Sequence, residues 1–164
     1  MNTRFLLFTT MMFLFLSCSK ENDSSLLYFK TYQVKQETKN MVEDEKIEID
    51  TLFLFTGKNV EWYNAGTKEI RFKNTSKIDY IPCLVVFLDE KELFTLRVVS
   101  TIMSYTLDYP VLIYDTSKKR YYIAKGYPDW GGVLIEEREK NWKEFEPGWN
   151  IFIEQLKIEG KYRE

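Results

Sequence analysis

Histidine is absent from all 164 residues. That removes the usual general base near neutral pH, the commonest nitrogen ligand for zinc and the middle member of a Ser-His-Asp arrangement. Positive charge is not in excess either. With 23 lysines and arginines against 25 aspartates and glutamates, the formal charge is −2. No overall surplus of cations exists to neutralise a run of nucleic-acid phosphates, so no nucleic-acid partner is expected. The phosphate-cradling patterns G-x-G-x-x-G and G-x-x-x-x-G-K-[ST] do not occur, nor does the D-x-[DN]-x-[DN]-G spacing of an EF-hand loop. The acids Glu43, Asp44 and Glu45 are consecutive, so their side chains diverge on a helix or a strand, and they read as a solvated run. No cofactor and no metal are therefore expected. Cysteine is scarce, at Cys18 and Cys83 only, and no internal repeat or low-complexity segment is present.

What is present is the composition of a folded protein: 45% hydrophobic, 29% charged and 16% aromatic residues. The N-terminus has a different character. Arg4 and the α-amine form a positive end, and Phe5 to Leu16 is an uncharged, mostly apolar run of twelve residues. As a helix that run spans ~18 Å, short of the ~30 Å hydrocarbon core of a bilayer. It therefore reads as a secretory signal. The run ends Phe15, Leu16, Ser17, Cys18, which resembles the lipobox of bacterial lipoproteins, with small residues before an acceptor cysteine, although Phe15 stands where an aliphatic residue is usual.

The resemblance implies that the Cys18 thiol is alkylated with diacylglycerol, that the chain is cut between Ser17 and Cys18, and that fatty chains such as palmitate hold the new N-terminus in a membrane. Lys20, Glu21, Asn22 and Asp23 follow, similar to the surface-export signal of some outer-membrane lipoproteins and equally readable as a solvated tether. The expected organisation is residues 1–17 as signal peptide, 18–25 as lipidated tether and 26–164 as one domain, anchored at the outer membrane of a bacterial envelope on its periplasmic or surface face. Cleavage leaves 147 residues, with Cys83 as their single free thiol, so no intramolecular disulfide is available. Cys83 lies in the apolar run 81–87, where cysteine acts as a small inert hydrophobe.

Residues 26–46 give an ambiguous signal: Leu26 to Phe29 begins like a strand, and Glu37 to Lys46 is a charge-rich loop or short helix. From Ile47 a period of two places Ile47, Ile49, Thr51, Phe53 and Phe55 on one face. Val60 to Tyr63 pairs with Glu69 to Lys73 across a Gly-containing turn, Cys83 to Leu88 with Leu93 to Val99, and Val111 to Tyr114 with Arg120 to Lys125. Successive antiparallel hairpins predict a meander. Glu136 to Glu146 is helical, Pro147 and Gly148 interrupt it, and Trp149, Phe152, Ile153 and Leu156 form one apolar stripe ending at the Gly160 cap. The fold expected is α+β, an antiparallel β-meander covered by a C-terminal helix or helices. The block Lys58 to Asn74, KNVEWYNAGTKEIRFKN, resembles a segment of small uncharacterised lipoproteins of gut bacteria. That likeness implies a shared fold and carries no activity.

Few residues offer chemistry. Ser17 and Lys20 have S-x-x-K spacing but straddle the expected cleavage site. A glycoside hydrolase needs two carboxyl groups, and Glu61 beside Trp62 and Asp129 beside Trp130 are the first candidates, because an aromatic wall can raise a carboxyl pKa and stack on a sugar. Asn74 to Ser76 and Asp50 to Leu52 match short glycosylation patterns that arise often by chance. Aromatics remain abundant after cleavage, and Tyr121, Tyr122, Tyr127 and Trp130 gather near the last hairpin and its Gly-rich loop, with Trp62 on an earlier strand. These five define the candidate binding surface, for glycan or protein. The leading reading is a non-catalytic binding or assembly module anchored through lipid. The alternatives are an inhibitor or immunity protein for a partner enzyme, and a carboxylate-dependent glycoside hydrolase.

Overall fold

The strand Cys83–Leu88 (β5 in chain order) is apolar at every position, and it sits inside a sheet with both faces covered. Leu84 and Val86 face the main core, whereas Cys83, Val85 and Phe87 pack with Tyr28 and Tyr32 on the other side. The computed structural model describes residues 26–35, 48–74, 78, 81–129 and 134–164. The signal region, Cys18, the tether, the stretch 37–46 and Trp130 lie outside the described residues.

Nine strands form one sheet: β1 Leu27–Lys35, β2 Glu48–Thr56, β3 Val60–Asn64, β4 Glu69–Phe72, β5, β6 Lys91–Ser100, β7 Val111–Asp115, β8 Arg120–Ala124 and β9 Tyr162–Arg163. Their order across the sheet is β2-β1-β5-β6-β7-β8-β4-β3-β9. Among the described residues one α-helix, α1 Ile135–Ile158, completes the α+β fold. The three predicted hairpins, β3–β4, β5–β6 and β7–β8, are all present and antiparallel. The expected antiparallel meander is not: the sheet is mixed, because β6 pairs with β7 and β3 with β9 in parallel. The connection 101–110 returns the chain to the level of Arg97 before β7 begins, where a hairpin would have reversed it. The hairpins are also shuffled, with β4 beside β8 and β1 beside β5.

The sheet is strongly curled. Phe29 on β1 and Phe72 on β4 are five strand positions apart, ~24 Å on a flat sheet, yet their ring centroids are 6.2 Å apart. Phe55 on β2 lies 5.6 Å from the same ring. The concave side holds α1: Phe152 touches both Phe29 and Phe94, and Trp149 packs against Tyr63. The Tyr63 hydroxyl is pushed up to about 12 by burial, with Tyr162 adding to the shift.

Two local expectations change. Pro147 does not break the helix, which runs continuously for 24 residues. Arg138, Trp142, Phe145, Trp149, Phe152 and Leu156 recur every three or four residues across it, and the stripe packs on both sides of an exposed Pro147. Burying each large apolar side chain contributes ~1.5–3 kcal/mol, and several together outweigh the ~3 kcal/mol cost of an internal proline. On β2, Phe53 does not share the buried face with Phe55. Phe29 opposes Phe55 while Lys30 opposes Phe53, so Leu54 is an extra residue in a bulge, and the alternation slips by one. Leu54 and Phe55 are buried, whereas Leu52 and Phe53 are exposed. The C-terminal cap is as expected: Gly160 has φ +67°, and the amide N–H groups of Gly160 and Lys161 donate to the carbonyls of Lys157 and Leu156.

Candidate interaction surface

On the convex side, Val99, Val111, Ile113 and Ala124 of β6, β7 and β8 form a second apolar cluster, closed by Tyr127 and Leu107. The segment 101–110 covers it. Leu107 and Tyr127 exchange two main-chain hydrogen bonds of 2.8 and 3.0 Å, and the Tyr127 hydroxyl donates to the Met103 carbonyl at 2.8 Å. Tyr105 lies with its ring 6.2 Å from that of Tyr127.

Arg138, in the first turns of α1, ties this covering to the helix. It is buried, and its guanidinium donates from Nε to Leu107 O at 3.2 Å, from Nη1 to Pro128 O at 2.9 Å and from Nη2 to Tyr127 O at 3.0 Å. Three main-chain carbonyls thus solvate the charge. Asn141, one turn further on, donates to Asp108 O at 2.9 Å. Gly126 makes room: a Cβ there would stand 2.4 Å from Arg138 Nε and 2.6 Å from Leu107 O.

The segments so fixed present apolar side chains to solvent. Ile102 is 79% exposed and Ile135 56%, and Met103, Tyr105, Tyr109 and Leu134 are exposed too. Around them stand carboxylates: Glu136 and Glu137 in the first turn of α1, where the helix dipole favours negative charge, and Asp108 on the loop. Glu139 is paired with Lys125 at 2.8 Å. The result is a set of exposed apolar side chains with acids among them, on a loop that one buried cation reaches at Leu107 O and ties to the neighbouring segment at Tyr127 O and Pro128 O.

The residues expected to form a binding surface are not brought together. Tyr121 and Tyr122 are neighbours on β8, so their side chains point to opposite faces. Tyr121 is 3% exposed and packs against Phe72 and Tyr114 in the core. Tyr122 is half-buried on the other face, with Lys118 Nζ 5.9 Å from its ring. Tyr127 is 7% exposed and supports the 101–110 covering. Trp62 is half-buried two strands from Tyr122, with the Arg163 guanidinium 4.5 Å above its ring. Trp130 lies outside the described residues.

The exposed set on 102–109 and 134–135 was missed because neither a period of two nor a helical stripe runs through it. Its signal is the run TIMSYTLDYP between two strands, largely apolar without being periodic.

The two candidate carboxylates lie at the surface beside cations: Glu61 pairs with Arg71 at 3.1 Å and Asp129 with Lys68 at 3.4 Å. Cys83 is buried, with Thr31 Oγ1 3.9 Å from its sulfur. Among the described residues, no group of three His, Cys, Asp or Glu side chains converges as a metal site, and no helix is long and apolar enough to cross a membrane. Two cavities are notable. One of about 330 Å³ lies along Phe53 to Thr56 with Asn59 and Asn74, and one of about 230 Å³ lies between β4 and β8. Comparison with protein-family models, curated proteins and solved structures finds no match.

Proposed function

We propose that the chain is a lipid-anchored protein of the bacterial outer membrane that acts without catalysis, binding a protein partner through the apolar surface of residues 102–109 and 134–135. The anchor rests on the sequence Phe5 to Cys18, and acylation of Cys18 would supply stable attachment. The observation that carries the binding role is the combination of exposure and order: Ile102, Tyr105, Tyr109 and Ile135 face solvent, and the 101–110 loop is tied at Met103 O, Leu107 and Asp108 O to Tyr127, to buried Arg138 and to Asn141. A surface ordered before binding loses little conformational entropy on association, which favours recognition. The acidic border selects a partner with an apolar centre and basic rim.

The same border supports a second reading, an inhibitor or immunity protein. There the rigid acidic-rimmed surface would cover a basic site on an enzyme in the periplasm or at the surface.

The test has two parts. Cys18→Ala should move the protein from the membrane to the soluble fraction, and unchanged membrane association would defeat the anchor. A photo-crosslinking residue at position 109 should capture one defined protein in native envelopes, and Ile102→Asp with Ile135→Asp should reduce that capture at least tenfold. Capture that survives the double substitution, or no capture of a protein at all, would defeat the partner. A basic enzyme as the captured protein favours the inhibitory reading.

A further inference from the structure

β4 and β8 pair only at Glu69 with Tyr122 and Ile70 with Tyr121, after which the strands part. The opening is the 230 Å³ cavity, and its rim is cationic: Arg71 and Lys73 stand on the β4 side, and Lys119 and Arg120 on the β8 side, with Glu69 as the one carboxylate in the lining. The lining thus carries a formal +3 in a chain whose total is −2. Arg71 meets Glu61 through Nε at 3.1 Å, and Arg120 donates from Nη1 to Glu69 at 3.2 Å, which leaves other donors of both guanidiniums available. Lys73 and Lys119 are exposed and have no carboxylate within ion-pair distance among the described residues.

Lys119 is held in place by its turn. Asp115 Oδ1 accepts the amide N–H groups of Ser117 and Lys118, both at 3.0 Å, and the Ser117 hydroxyl at 2.6 Å. Lys119 itself has φ +53°. Four cations, from β4 and from the start of β8 with its turn, thus stand in the lining of one opening that also includes buried Tyr121.

We propose that the cleft between β4 and β8 is a binding site for one phosphate group, carried by a small phosphorylated ligand or by a lipid headgroup, with Lys73 and Lys119 supplying charge and Arg71 and Arg120 supplying directed donors. The cavity is smaller than the ~300–1,000 Å³ of drug-sized ligand sites, which suits a single anionic group. The inference is independent of the protein partner and of the anchor.

Lysine acetylation, read by peptide mass spectrometry on the full chain in non-ionic detergent, tests it. Three probes are compared: inorganic phosphate, glycerol phosphate, and phosphatidic acid doped into the micelles against phosphatidylcholine. At least one phosphate probe should slow acetylation of Lys73 and Lys119 at least fivefold and saturably, with exposed Lys91 and Lys140 unaffected. Protection by the first two assigns a free ligand, and protection by phosphatidic acid alone assigns a headgroup. Lys73→Gln with Lys119→Gln, both at exposed positions, should weaken binding of that probe at least tenfold in calorimetry. No saturable protection by any probe, equal protection of Lys91 and Lys140, or wild-type affinity in the double variant would each overturn the proposal.

Discussion

Replacing Gly148 with alanine should destabilise the domain, although alanine is the better helix former by ~1 kcal/mol. Gly148 lies where α1 crosses β6, between Phe145 and Trp149 of the buried stripe. A Cβ at this position would stand 2.1 Å from Leu93 O and 2.8 Å from Leu93 C, more than an ångström inside ordinary contact with the oxygen. Both atoms are main chain of β6, at the residue that bulges between Glu92 and Phe94 in the pairing with β5, so neither turns aside as a side chain would. Relief requires α1 to lift from β6, and the rings that meet there, Phe94 with Phe145 at 4.5 Å and with Trp149 at 5.9 Å, would lose contact. Overpacking of this kind costs ~1–3 kcal/mol and occasionally more. A clash this close with main-chain atoms puts the cost at the upper end, ~3 kcal/mol, and the propensity gain of ~1 kcal/mol leaves a net loss of about 2 kcal/mol. Urea melts followed by tryptophan fluorescence should show the midpoint falling with an unchanged slope, and Tm should drop by roughly 5–10 °C. Gly66→Ala is the control, because its Cβ would meet nothing closer than Asn64 Oδ1 at 3.5 Å, and its effect should stay within about 1 kcal/mol. A neutral or stabilising Gly148→Ala would refute the close helix–strand approach.

Two further outcomes follow from buried polar groups. Arg138→Met removes the donors of three main-chain carbonyls and should cost about 3 kcal/mol or more. Its amide exchange should quicken in 101–110 and around Tyr127 before the rest of the sheet opens, and unchanged protection there would show that the guanidinium does not hold the loop. Tyr63 ionises at about 12 in the fold against 10.0 ordinarily, so between those values the unfolded chain has released a proton that the native chain keeps. The stabilisation is complete below pH 10 and is lost as pH rises towards 12. Tyr63→Phe, which retains the ring packed 5.3 Å from Trp149, should shift the midpoint of alkaline unfolding upward, and an unmoved midpoint would remove Tyr63 as its source.

The hairpins were legible because each is a local event: alternation sets the face, and a short turn sets the register. Their arrangement was not, because the sequence between Phe72 and Cys83 carries no sign that the chain crosses from β4, seventh in the sheet, to β5, third. The parallel β6–β7 pair is hidden for the same reason. At Pro147 the local rule lost to packing summed along a whole helix. At Leu54 a one-residue bulge reversed a face that pattern alone assigns to Phe53. For the site, Tyr127 of the candidate set is buried and supports the exposed residues of the 101–110 loop through its hydroxyl on Met103 O. Arg138 resembles any surface arginine of a charged helix until three carbonyls are seen around it.

The proposed function begins with attachment to lipid, and intact-mass analysis of the protein purified from native membranes tests that most directly. The expected species has its N-terminus at Cys18 and bears the added mass of a diacylglycerol thioether, with or without an amide-linked chain. A species beginning at any other residue and carrying no acyl mass would contradict it.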